Sequence, residues 1–204
     1  MSEFSLARGA TAPNLTGIHT CYDIGRKDEL FVFTANVSAE NIEALAKHFC
    51  SQLTEPCFFL IEVPTNEAEE QKIRLEEPDP LHCDVYYCDG LSKQVLFELI
   101  EKYGELLIHD GMSCFGMASH ATHDELCFAK YNVAIIFTTD EQRYIKLMEE
   151  MDIPREEKIK TAWQNFTHET PGTTSAISID GKTVYDVLEE LKEYGLYFAE
   201  RREQ

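Results

Sequence analysis

Residues 119–127 read SHATHDELC and set His120, His123 and Cys127 close together, with His109 and Cys114 upstream. Imidazole and thiolate are the groups that hold zinc or move protons. A structural zinc site asks for four ligands in tight pairs such as C-x2-C or H-x3-H, and the H-x2-H-x3-C spacing here is not such a set. The run ELCFAKY reads as a strand, which puts Leu126 and Phe128 on one side and Cys127 and Ala129 on the other. Both histidines fall in the polar connection before it. The expectation is a hairpin mouth with exposed histidines and a packed cysteine, not a metal centre. Cys83 and Cys88, five residues apart on one strand, point to opposite faces.

Two His-x-Thr tripeptides stand out, His120-Ala121-Thr122 and His168-Glu169-Thr170. At these six residues the chain resembles the 2H phosphoesterases, which use two His-x-Thr/Ser motifs on strands to hold and protonate a phosphodiester. The resemblance implies an enzyme working through His120 and His168, with His123 beside them; a metal-dependent hydrolase would draw on the same histidines. The chain departs from the family in placing the tripeptides in polar runs, SHATHD and HETPG. No G-x-S-x-G elbow, phosphate loop, dinucleotide fingerprint, H-E-x-x-H or EF-hand loop occurs, so no cofactor is expected and the common large enzyme classes drop out.

The elements that would position these groups follow from periodicity. Runs 18–24 and 29–35 flank a turn at Gly25–Asp28 and predict a hairpin. Ser38 should cap a helix with Ile42, Leu45, Ala46, Phe49 and Leu53 on one stripe, closed by Pro56. CFFLIEV (57–63) reads as a buried central strand and 64–81 as a long acidic loop. A strand at 82–88 and a helix from Ser92 to Gly104 come next, then strands in ELLIHDG, MSCFGMAS and ELCFAKYNVAIIFT. Thr139 with Gln142 suggests a capping box for DEQRYIKLMEEM. Residues 155–170 read as a short helix or irregular segment holding Trp163. SAISID should be a strand, and Thr183 should cap a long helix with Val184, Val187, Leu188, Leu191 and Phe198 in phase.

The sum is an α+β fold: a mixed, mainly antiparallel sheet built from two strand–strand–helix units, with a long C-terminal helix packed on it. One domain over 1–204 is expected, its pseudo-halves 15–63 and 82–204 joined by the acidic loop 64–81.

Thirty-seven acids against 18 bases give a formal charge of −19. Such a surface repels nucleic-acid phosphates and anionic membranes, while its field speeds encounter with a basic protein. The partner-binding residues expected from this are Glu67, Glu69, Glu70, Glu76, Glu77 and Asp79, with Trp163 as an aromatic anchor. Seven cysteines, no secretory apolar segment and no membrane-length apolar run point to a reduced, cytoplasmic, bacterial-type protein. In profile the chain resembles immunity proteins, which neutralise nuclease toxins. The leading expectation is thus an acidic protein-binding module that inhibits a basic partner. An enzyme using His120, His123 and His168, or a structural oligomerisation domain, are the alternatives.

Overall fold

A computed structural model describes residues 3–76 and 79–203. In chain order the elements are β1 (Ala10–Thr11), β2 (Cys21–Lys27), β3 (Leu30–Asn36), α1 (Ala39–Gln52), β4 (Cys57–Pro64), α2 (Glu67–Ile73) and β5 (His82–Leu91). They continue with α3 (Lys93–His109), β6 (Cys114–Ser119), β7 (Glu125–Ala129), β8 (Val133–Thr138), α4 (Glu141–Glu150), β9 (Thr173–Thr174), α5 (Val184–Leu191) and β10 (Tyr197–Glu203). Among the described residues eight strands form one sheet in the order β10-β5-β4-β6-β7-β8-β3-β2, antiparallel throughout, while β1 pairs with β9 apart from it. The fold is α+β. Two strand–strand–helix units, β2-β3-α1 and β7-β8-α4, meet where β3 pairs with β8.

The sheet separates one covered face from one open face because strand side chains alternate. Phe33, Phe59, Ile61, Phe115, Met117, Leu126, Phe128 and Ile136 point to one side and share a single core with the buried stripes of α1, α3, α4 and α5. The Tyr144 ring of α4 stacks on Phe49 of α1 and lies edge-on to Phe33. Deleting one such ring should cost about 3–5 kcal/mol through lost transfer and the cavity left behind.

Several expectations need correction. The hairpin turn falls at Asp28 and Glu29, later than predicted, because Asp28 takes the left-handed backbone (φ 54°) that a two-residue connection needs. The acidic stretch 64–81 is not wholly loop: Asn66 caps α2 by accepting from the Glu69 amide. Gly104 does not end α3, which runs on through ELLIH with Leu106, Leu107 and Ile108 buried. ELCFAKYNVAIIFT is two strands, broken where Tyr131 and Asn132 both take φ 60°. Asp140, not Thr139, caps α4 by accepting from the Arg143 amide. SAISID forms no ladder beyond a single bridge from Ile179 to Lys182. The C-terminal helix is shorter than its spacing suggests. Left-handed Gly195 (φ 86°) breaks it, and Phe198 joins β10, where Arg201 pairs with Asp84 across β5. No described helix is long and apolar enough to cross a membrane.

Candidate functional site

The open face is built by register. Val32 (β3) lies opposite Phe137 (β8), Ile135 opposite Cys127 (β7), Glu125 opposite Ala118 (β6), and Phe58 (β4) opposite Ala118. Leu60, Gly116 and Tyr87 extend the same face. A solvated antiparallel face ordinarily carries polar residues. Here Val32, Phe58, Tyr87, Ile135 and Phe137 are apolar or aromatic, and all are half-buried. The strip is continuous because Gly116 lets β7 come close: a Cβ there would stand 2.5 Å from the Leu126 carbonyl oxygen.

At the end of this face a groove of about 580 Å³ opens between Leu30, Phe58 and Phe137, with His120, His123 and Glu125 on its walls. The His120 ring lies 4.7 Å from that of Phe58, and its Nε2 sits 3.0 Å from Asp89 Oδ1. The other oxygen of Asp89 accepts from the Tyr197 hydroxyl. These contacts fix the ring orientation and leave Nδ1 free of that carboxylate. His123 is exposed at φ 23°. Beneath the connection Asp124 is buried, accepting from the Thr122 and Thr138 hydroxyls, both at 2.6 Å, and from Arg143 Nη1 at 2.9 Å. Glu62 of β4, in phase with Phe58 and Leu60, shares the open face with Glu125, the half-buried carboxylate on the groove wall. Burial pushes the Glu125 pKa up, and the Arg202 guanidinium offsets only part of that.

SHATHDELC is indeed the β6–β7 connection, with exposed histidines and a half-buried Cys127. His120 and His123 share the groove, but His168 does not join them. It lies exposed in a turn closed by Thr170 N to Thr167 Oγ1 (3.0 Å). The neighbouring Phe166 packs on Tyr131, at the opposite end of β7. The two His-x-Thr tripeptides therefore do not form the paired strand motifs of the phosphoesterases.

The acids assigned to partner binding have mixed fates. Glu67 and Glu76 line a second groove with the exposed Leu75 and Leu81. Glu69 pairs with Lys72 at 2.5 Å, and Asp79 accepts from the Leu75 and Glu76 amides. Glu70 is buried, not a surface contact, and its carboxylate holds the amide and ring of His82. Glu77 lies outside the described residues. Trp163 is 52% exposed and stands edge-on to Tyr131 and Phe166. The pattern missed Asp89, Phe58 and Glu125, since only strand pairing brings residues 58, 89 and 125 together.

All seven cysteines are free thiols. Burial pushes Cys114 up to about 11 and Cys127 up to about 12, so neither is an activated nucleophile. Comparison with protein-family models, curated protein sequences and solved structures gives no match.

Proposed function

We propose that this chain is an acidic protein-binding module whose open sheet face receives a basic partner, as an inhibitor or immunity protein would receive its toxin. The observation that carries this reading is the uncovered apolar strip Val32–Phe137–Ile135–Phe58 ending in a groove beside Glu125. A half-buried apolar strip that no helix covers, rimmed by polar groups, suits an interaction surface. Glu125 is held half-buried at a desolvation cost that an incoming Lys or Arg would offset. Net charge steers the encounter, and the apolar strip supplies the contact area.

The test is capture from lysate at low salt, with Glu125→Lys and Phe137→Asp as controls. The reading expects one basic protein, lost as salt rises and lost in both variants. Capture unaffected by the variants, or no basic protein captured, refutes it. Glu67→Lys with Glu76→Lys examines the α2 groove by the same assay.

One observation favours a second reading: His120, oriented by Asp89 and seated over the groove, has the arrangement of a general base. An enzyme built on it should turn over a small substrate, such as a 2′,3′-cyclic phosphate, and lose that activity in His120→Ala. No turnover by the parent protein ends this reading.

A further inference from the structure

At the far edge of the sheet His19, Cys21 and Glu156 bring an imidazole nitrogen, a sulfur and a carboxylate oxygen within 4.8 Å of one another. We propose that these three residues bind a zinc ion. Among the described residues this is the only such gathering of three metal-ligating groups, and the sequence reading passed over it.

The placement is built in. His19 and Cys21 flank a bend at Thr20 where the chain enters β2, and that bend folds His19 back over Cys21, whose thiol donates to the His19 carbonyl at 3.4 Å. Glu156 arrives from a distant segment that backbone hydrogen bonds clamp to this edge: Tyr22 N to the Pro154 carbonyl at 3.0 Å and Glu156 N to the Tyr22 carbonyl at 2.8 Å. Two side chains extend the clamp, Asp23 accepting from the Ile159 amide and Asn36 donating to the Lys160 carbonyl. The site therefore does not depend on a floppy loop closing over an ion.

A second observation points into the same place. Asn36 is the cross-strand partner of Cys21 and is 1% exposed. Its Oδ1 has no hydrogen-bond partner. A buried orphan acceptor is costly, and beside a metal it would accept from a water on the ion's fourth position. Cys21 forms the buried floor, whereas the His19 and Glu156 side chains remain 52% and 39% exposed, which gives an ion a route in.

The donor set selects the metal. Sulfur and imidazole with one carboxylate suit Zn²⁺, whereas Mg²⁺ and Ca²⁺ require oxygen shells. Tetrahedral zinc separates its nitrogen and oxygen ligands by about 3.4 Å. His19 Nε2 and Glu156 Oε1 now stand 2.7 Å apart, so they must open by roughly 0.7 Å, a small rotation for two partly exposed side chains. On binding, the Cys21 S–H bond breaks, its proton leaves to solvent, and the thiolate electron pair forms the Zn–S bond. The thiolate and carboxylate together neutralise the ion.

The experiment is zinc binding by the metal-stripped, untagged full chain, measured by calorimetry, with cobalt as the spectroscopic probe. One zinc per chain is expected, undisturbed by excess Mg²⁺. Cobalt should give a thiolate charge-transfer band that Cys21→Ser abolishes and Cys127→Ser leaves intact. His19→Gln, on an exposed side chain, should weaken zinc by tenfold or more, since even groups that only orient a ligand contribute roughly tenfold to a hundredfold. Unchanged affinity in His19→Gln, or no stoichiometric zinc in the parent, overturns the proposal. A cobalt band that survives in folded Cys21→Ser overturns it equally.

Discussion

Removing the guanidinium of Arg201 should unzip the C-terminal strand. Asp84 is 5% exposed, and Arg201 Nε and Nη2 meet its two oxygens at 2.5 and 3.0 Å while the Thr65 hydroxyl donates at 2.7 Å. Burial pushes the Asp84 carboxyl up, but Arg201 and Thr65 outweigh it and hold the pKa below the usual carboxylate value. Arg201→Ala leaves a buried carboxylate without its cation, a change worth about 3–5 kcal/mol in general. Arg201 keeps some access to water, which sets the expectation at about 3 kcal/mol, or about 6–12 °C in Tm for a chain of this size. Urea unfolding followed by circular dichroism at pH 7 measures it, and hydrogen exchange should show Tyr197–Glu203 losing protection. Adding Asp84→Asn should recover part of the loss. The sign with pH follows: a depressed folded pKa gives stability that is present above the unfolded value of about 3.9 and lost as pH falls through the folded one. A loss under about 1 kcal/mol, or no recovery in the double variant, would refute the reasoning.

Glu125→Gln should raise Tm at pH 7, because a folded pKa raised by burial costs stability as pH climbs above the unfolded value; the gain should fade in acid, and a gain unchanged at pH 3 would contradict it. Asp124→Ala, which takes the acceptor from the Thr122 and Thr138 hydroxyls and leaves Arg143 with Asp140 alone, should cost about 3 kcal/mol in chemical unfolding. Gly111→Ala should cost more than about 2 kcal/mol, since its Cβ would fall 1.9 Å from the Gly9 carbonyl oxygen, a measurement again made in urea. In the native state at pH 7.5, thiol reagents should label Cys114 and Cys127 far more slowly than in urea, with the folded rate rising with pH as the thiols ionise.

Local signals were readable where local forces decide. The stripe of Ile42, Leu45, Ala46 and Phe49 is buried as its spacing predicts, and Ser92 caps α3 by accepting from the Val95 amide. Cys83 and Cys88 do face opposite ways, the latter reaching the Leu191 carbonyl of α5. The misreadings have physical causes. Gly104 reads as a helix stop, yet it lies in α3 against Ile100, Ile108 and the Glu43 side chain of α1, so tertiary packing overrides its propensity. Tyr131 and Asn132 carry no turn signature as strong as glycine, and their left-handed geometry is sustained by Asn132 donating to the Ser5 and Val37 carbonyls. Phe198 sits in helical phase with Leu191, and Gly195 alone marked the break. The groove was illegible for a different reason: β2, β3, β4, β6, β7 and β8 assemble it from residues spread between 27 and 137, and no periodicity encodes which strands become neighbours.

Zero-length carbodiimide crosslinking of the captured complex, mapped by mass spectrometry, is the most direct examination of the open-face reading. It should join lysines of a basic partner to Glu125, Glu62 or Asp89. Crosslinks confined to carboxylates of the helical layer, such as Glu98 on α3 or Glu141 on α4, would contradict it.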